Sequence, residues 1–208
     1  MIVVFFTVTR KGPDSTGIDS MSESTEMIYG RIPVLECLRA GKRRPKRLYL
    51  LDSARGMDDI LAAAGSTPIE HLDRSGLERL APGSNHQGVI LATSPLPLWD
   101  LEHWLENHTG ADQILVIVDC IEDPHNLGAI TRSASACGAA GVLFPKDRTA
   151  PLSPTAIKAA AGATEYIDLI QVTNLARSFV RLQEAGFWVA ALDAEGEVLL
   201  RVLELQAL

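Results

Sequence analysis

The stretch ILVIVDCIEDPHNLGAITRSASACGAAGVLF, Ile114 to Phe144, decides the fold. It opens on ILVIVD, a continuous apolar run of the kind found in strands buried on both faces. Asp123-Pro124 follows, and the residue before a proline is pushed towards extended backbone. Asn126 is a residue type that caps helices, and a helix is predicted from Asn126 to Cys137. GVLF (141–144) is then a second strand. Strand, helix and strand in this order form a crossover unit of a parallel sheet.

Ligands of such sheets bind beyond the carboxyl ends of the strands, and DCIEDPHN lies at one. The free amides of the helix start can hold an anion. Arg132 shares a helical stripe with His125, Gly128 and Ala129, at spacings of seven, four and three. Gly128 and Ala129 leave the face beside Arg132 open to a phosphate or ribose. A plainer reading stands beside this one: Asn126 only caps, and Arg132 only pairs with a surface acid. No Gly-x-Gly-x-x-Gly follows the first strand, which argues against a dinucleotide fold.

The same alternation continues outward. SPTAIKAAAG is a helix with Ser153 as N-cap, Pro154 in its first turn and Gly162 past its end. YIDLIQV is a third strand. TNLARSFVRLQEAG is a helix capped by Thr173 and closed by Gly186, and FWVAALD (187–193) is a fourth strand. Upstream, YGRIPVLECLRAG and MDDILAAAG read as helices ended by Gly41 and Gly65, with RLYLL (47–51), TPIEHL and GVILAT (88–93) as strands and RSGLERLAP as a short helix stopped by Pro82. The predicted organisation is a disordered extension over 1–26, a small α/β domain over 27–94, a linker with a helix over 95–112, and a parallel-sheet domain over 113–208. In the linker, Trp99 to His108 is the helix, with Leu98, Leu101, Trp104 and Leu105 on its apolar side; the tryptophans read as packing residues.

With 208 residues, 47% of them hydrophobic, the chain can bury a substantial core. The apolar IVVFFTV at the start has no basic residue before it and is too short to span a membrane. Met21 is a second candidate start. The formal net charge of −7 means that any nucleic-acid binding rests on a local patch. Cys37, Cys120 and Cys137 are odd in number and have no metal-type spacing, so they read as reduced thiols of a cytoplasmic protein, in packing roles. No metal site is expected.

Four segments, NHQGVILA (85–92), LVIVDCIEDPHNLGAITRSASACGAAGVLFPKDR (115–148), IKAAAGATEY (157–166) and VTNLAR (172–177), together closely resemble the SpoU family of RNA ribose 2′-O-methyltransferases. The nearest likeness is to bacterial enzymes that methylate a guanosine ribose in large-subunit ribosomal RNA. The resemblance covers about 27–193. It implies an RNA substrate-binding α/β domain, then an S-adenosylmethionine-dependent SPOUT domain with a trefoil knot, working as a homodimer. The family's first motif falls on Asn126, Gly128 and Arg132, and it makes Asn126 and Arg132 the catalytic residues. Guanidinium hardly deprotonates in proteins, so Arg132 suits orientation of RNA phosphate and stabilisation of developing alkoxide better than it suits a base.

Family members continue with a Gly-Ser/Ala-Glu-Gly-x-Gly stretch, then Ile-Pro-Met and Ser-Leu-Asn-Val-Ser, which build the cofactor pocket and the threaded end of the knot. Here the sequence reads LDAEGEVLLRVLELQAL. AEGEVL echoes the glutamate motif, but it follows the FWVAALD strand directly and lacks that motif's context. The expectation is therefore a truncated domain without a knot, no cofactor-binding residues, weak or no S-adenosylmethionine binding and no activity. VLLRVLELQAL reads as a foreign tail, which a frameshift or premature stop near codons 194 to 200 explains. A non-catalytic RNA-binding remnant is the alternative function.

RNA contacts are expected elsewhere. RAGKRRPKR (39–47) is dense enough in cations to attract phosphates, with Arg43, Arg44, Lys46 and Arg47 as its contacts. Arg31, and His86 and Gln87 in the turn SNHQG, add to that surface. FPKDR brings Lys146 and Arg148 to the end of the second catalytic strand.

Overall fold

In a computed structural model the described residues are 2–7, 24–108 and 113–192. They form two sheets, each with its own core.

The first sheet has the order β2-β5-β3-β4, built from β2 (Glu26–Tyr29), β3 (Pro45–Leu51), β4 (Ile69–Leu72) and β5 (Val89–Thr93). The central β5 is buried at every position, as its unbroken VILAT predicts. Helices α1 (Arg31–Ala40) and α2 (Asp58–Ala64) cover one face through Val34, Cys37 and Ile60 against Ile28, Leu48 and Leu91. Helix α3 (Arg74–Leu80) covers the other through Leu77 against Ile90. Asp73 caps α3 by accepting a 2.7 Å hydrogen bond from the Gly76 amide.

The linker packs into the second sheet rather than standing apart from it. Trp99 bridges to Ile170 in parallel, its amide bonded to the Leu169 carbonyl at 2.8 Å, and so extends that sheet. Helix α4 (Leu101–Asn107) then lies on the sheet, capped by Asp100. Leu98, predicted on its apolar side, falls before the helix and is 45% exposed.

The second sheet has the order β8-β7-β6-β1-β9. Its strands β6 (Ile114–Val118), β7 (Gly141–Pro145) and β8 (Asp168–Val172) are parallel, as the sequence predicts. Helices α4 and α7 (Leu175–Glu184) pack on one face, where Trp104 and Leu182 meet Leu143 and Ile170. Helices α5 (Pro124–Ala136) and α6 (Pro154–Ala159) pack on the other, where Leu127 and Ala156 meet Val142 and Phe144. Val142, Leu143 and Phe144 thus alternate between faces with the two-residue period of a strand.

Strand β1 (Ile2–Thr7) departs, at these six residues, from the expectation of a disordered extension over 1–26. It lies between β6 and β9 (Phe187–Leu192), antiparallel to both. IVVFFT has strand composition, but its partners lie far along the chain, and a local pattern does not report such pairings. The sheet is therefore mixed. Residues 8–23 and 193–208, with the expected tail and the place of any knot, lie outside the described residues.

Candidate functional site

Helix α5 starts at Pro124, earlier than predicted. Asp123, not Asn126, caps it: its carboxylate accepts from the His125 amide at 2.8 Å, and its carbonyl accepts from the Asn126 amide at 3.0 Å. Asn126 is the third helical residue, with its side chain exposed. Asn174 likewise replaces the predicted Thr173 as the cap of α7. In both places another cap residue stands close to the expected one, three residues before Asn126 and one after Thr173.

Gly128 also differs from expectation. It is buried, and a Cβ there would lie 2.4 Å from the Ala156 carbonyl oxygen and 2.6 Å from the Ala159 Cβ. Glycine at this place lets α5 and α6 touch, and leaves no backbone open to a ligand. Arg132 is exposed one turn further along α5, in a groove between α5 and α1. Asn126 does not line that groove; it sits about 9 Å away along the helix axis.

At the carboxyl ends of β6 and β7 two non-glycine residues hold left-handed backbone, Cys120 (φ 57°) and Arg148 (φ 65°). Conformations of this kind gather at functional loops. The Ala150 amide donates to the Ile121 carbonyl at 2.6 Å and ties the loops together, and the Arg148 guanidinium lies 4.0 Å from Asp119. Lys146 and Arg148 are exposed there.

Arg31 and Gln87 come together at the start of α1, with His86 next to them in the chain. The Arg31 amide donates to Gln87 Oε1 at 2.9 Å, and its guanidinium to the Arg55 carbonyl at 2.8 Å. The Gly88 amide donates to His86 Nδ1 at 3.0 Å, so that nitrogen is an acceptor. Lys158 of α6, not expected from sequence, joins them: its Nζ donates to the Asn85 carbonyl at 2.9 Å and lies 5.2 Å from the Tyr29 ring centre. No local signal marks Lys158, because the loop it meets belongs to the other domain.

The basic segment divides. Arg44 and Arg47 are exposed, Arg47 paired with Glu70 at 2.7 Å. Lys46 donates to the Ser24 carbonyl and to Thr25. Arg43, expected to contact RNA, is instead 2% exposed. It lies 3.2 Å from Glu26 and 3.4 Å from Glu165, and none of its guanidinium nitrogens is aligned for a hydrogen bond. A cation enclosed between two acids is closed to phosphate, so Arg43 belongs to the joint between the domains. Burial raises the Glu165 carboxyl above its ordinary range, against the opposing pull of Arg43 and Lys42. Burial and the charge of Glu165 push the nearby Cys37 thiol up to about 12, which fits a packing role.

Lys42 completes the joint. It donates to the Ile167 carbonyl at 2.9 Å and to Asp168 at 3.3 Å. Asp168 also accepts from Trp104 Nε1 at 3.0 Å and lies 3.0 Å from His108 Nε2. Burial alone would raise the Asp168 carboxyl, but His108, Lys42 and Trp104 outweigh it and hold it low. Burial alone would lower His108; its bonds to Asp168 and to the Trp104 carbonyl raise it. Tyr166 donates to Glu36 at 2.7 Å, which with burial raises its hydroxyl to about 12 and keeps it a donor.

Among the described residues no cluster of His, Cys, Asp or Glu could hold a metal ion, and no helix is long and apolar enough to cross a membrane. Two family models match the chain: RNA 2′-O ribose methyltransferase substrate binding over residues 27–99, and the SpoU rRNA methylase family over residues 113–206. The chain belongs to the SpoU family. It is 40% identical over 191 residues to 23S rRNA (guanosine-2′-O-)-methyltransferase RlmB of Pseudomonas aeruginosa, covering 87% of this chain and 75% of that one. A Synechocystis protein, "Uncharacterized tRNA/rRNA methyltransferase slr0955", is 33% identical, with 85% and 48% covered.

The fold is that of an AdoMet-bound rRNA methyltransferase from Sinorhizobium meliloti (TM-score 0.60, 22% identity, 78% of this chain and 59% of that one). It is also that of the SpoU methyltransferase AviRb from Streptomyces viridochromogenes, in complex with AdoMet (TM-score 0.61, 17% identity, 77% and 60%). The chain therefore spans about three fifths of the solved chains it matches. The methylase match runs to residue 206, through the stretch expected to be foreign. That range takes away the ground for a change of reading frame near codon 194.

Proposed function

We propose that this chain serves ribose 2′-O-methylation of a guanosine in large-subunit ribosomal RNA, in the cytoplasm and as a homodimer. The observation that carries this reading is the placement of Arg132, exposed in a groove walled by both family domains. The first domain offers RNA the exposed Arg31, Gln87, Arg44 and Arg47, with His86 and Lys46 beside them, and the second adds Lys146 and Arg148. Arg132 stays cationic, orients a phosphate and stabilises negative charge growing on the ribose oxygen. Asn126 holds the RNA at the start of α5, and positioning supplies most of the rate.

S-Adenosylmethionine would supply an electrophilic methyl group. The groove at the end of β8 is polar and ion-paired, with Asp100, Asn174 and Arg181 in its lining. No residue described is assigned to the cofactor.

The test is transfer of labelled methyl to an unmodified large-subunit RNA transcript, with RNA binding measured in parallel. Transfer that Arg132→Ala abolishes supports the enzyme reading. Binding that weakens steeply with salt, without transfer and without micromolar S-adenosylmethionine binding by calorimetry, supports an RNA-binding remnant. Failure to bind RNA overturns both.

A further inference from the structure

The groove beside Arg132 holds groups that handling a ribose or phosphate does not require. It is an open groove of about 280 Å³, lined by Ile32 and Glu36 of α1, Arg132 and Ser135 of α5, and Gly162 and Tyr166. Ile32 is 58% exposed and Tyr166 57%. An exposed aromatic ring next to an exposed isoleucine offers a flat ligand two apolar contacts. Between them lies the Glu36 carboxylate. Tyr166 donates to one of its oxygens at 2.7 Å and Arg39 to the other at 3.3 Å. Each carboxylate oxygen has capacity for a further hydrogen bond, so the pair remains a two-acceptor edge.

The close fit of α1 here is specific. A Cβ on Gly162 would lie 2.5 Å from the Glu36 Cβ and 2.6 Å from its Cγ. Gly162 (φ 91°) follows Ala161, which also holds left-handed backbone (φ 51°). Such a conformation costs an alanine energy and persists where its surroundings impose it. Lys42 and Arg43 fasten the same domain to Asp168 and Glu165 of the second one. The carboxylate is thus held opposite Arg132 by both domains.

We propose that this groove is a guanine pocket: the base lies against Tyr166 and Ile32, Glu36 accepts from its N1–H and N2 amino group, and Arg132 holds the attached ribose or phosphate. The inference rests on the ribose-methylation reading and adds its specificity residues. Guanine alone among the RNA bases presents two adjacent donors on its pairing edge. Adenine and cytosine set an acceptor beside their donor, and uracil flanks its donor with two acceptors. RNA is read in this way on unpaired bases, by stacking and by hydrogen bonds to that edge. A site built to pair with donors binds less well an analogue that lacks them, because its acceptors then face an acceptor instead.

The experiment titrates the full chain, with labelled isoleucine and alanine methyls and labelled tyrosine rings, with the 5′-monophosphates of guanosine, inosine and adenosine at millimolar concentration. The guanosine nucleotide is expected to move the signals of Ile32, Ala161, Ala163 and Tyr166, and to bind about tenfold more tightly than the adenosine one. Inosine, which lacks the amino group, should fall between. Glu36→Gln keeps the packing on Gly162 and should remove the preference for guanosine while ring contacts persist. Tyr166→Ala should weaken all three. Equal binding of guanosine and adenosine nucleotides, signals that move elsewhere, or no movement at all overturns the pocket. If the intact chain still binds ribosomal RNA in a manner that Arg132→Ala weakens, only the pocket falls. If the nucleotide preference holds and ribosomal RNA does not bind, the ribosomal reading falls instead.

Discussion

The basic segment 42–47 and helix α5 each turn inward one residue that their sequences send outward. In the segment it is Arg43, enclosed between Glu26 and Glu165. In the helix it is Gly128, pressed against the backbone of α6. Their neighbours stay outside: Arg44 and Arg47 on one, Arg132 on the other. The two inward residues join elements by opposite means. Gly128 brings two helices together because it has no side chain. Arg43 joins two domains through a charge whose nitrogens lack aligned partners. The first contact is robust to pH and salt and intolerant of added volume. The second tolerates changes in volume and depends on its partners staying charged.

The largest effect should come from breaking the charged contact on one side. Arg43→Leu leaves Glu165 buried beside no guanidinium and should cost about 3–5 kcal/mol of unfolding free energy. Glu165→Leu added to it should recover much of that loss, which a double-mutant cycle in urea would measure. The pH dependence sharpens the test. Burial raises the Glu165 carboxyl in the folded chain, so the folded state binds its proton first. Its unfavourable contribution is present above its folded value and fades as pH falls through that value towards the unfolded one. Without Arg43 the carboxyl rises further, so the deficit of Arg43→Leu should shrink in mild acid. A deficit equal at acid and neutral pH would mean that the charge is not what joins the domains.

Next is Gly128→Ala, which adds one methyl where 2.4 Å separates it from a carbonyl oxygen. Helix α6 must shift, at a cost of about 1–3 kcal/mol. That cost should be the same across mild acid and neutral pH, unlike the Arg43 deficit. A variant as stable as the parent would show that the helices have room, and the ligand-facing reading of this glycine would return.

These two residues show what was legible. Strands and helices that depend on local period were legible: the parallel β6, β7 and β8 follow from their apolar runs, and of the three expected N-caps Ser153 holds α6. What depends on partners far along the chain did not read. Arg43 stands in a run of cations, and nothing local tells that Glu165 will enclose it. The apolar start of the chain shows no sign of its partners β6 and β9. Asn126 and Asp123 are both cap residues, and a one-turn ambiguity decides which holds the helix. In the proposed site, Arg132 is the residue that the motif names. Glu36, Tyr166 and Lys158 were not legible, because they matter only once the two domains meet.

The Lys42–Asp168–His108 contact gives a smaller effect and shows how a satisfied charge differs from Arg43. Here Lys42, Trp104 and His108 converge on one carboxylate, and His108 stacks on Trp104 with ring centres 4.4 Å apart. His108 is raised in the folded chain, so its stabilisation is full below its unfolded value near 6.5 and is lost as pH rises through the folded value. Asp168 is held low, so its share is full above its unfolded value and is lost as pH falls through the folded one. His108→Phe keeps the ring and should lower stability by roughly 1 kcal/mol at pH 6, since the imidazole is partly exposed. At pH 9 the difference should nearly vanish. A pH-independent difference would assign His108 to stacking alone.

The smallest effect concerns RNA and tests the division of the basic segment. Removing one phosphate contact should flatten the slope of log affinity against log salt by about 0.7 to 0.9. Arg44 is exposed, so Arg44→Gln should remove one contact. Arg47 is half committed to Glu70, so Arg47→Gln should remove less than one. Arg43 is enclosed, and replacing it should remove none. Because Arg43→Leu alone weakens the fold, the comparison uses Arg43→Leu with Glu165→Leu, which removes the two buried charges of the joint, leaves the partly exposed Glu26 and keeps the space filled. Its salt slope should match that of the parent even where Arg44→Gln departs from it. A double variant whose slope flattens as much as that of Arg44→Gln would return Arg43 to the RNA-facing surface. It would also mean that the domains part when RNA binds, since the guanidinium reaches solvent only if Glu26 and Glu165 release it.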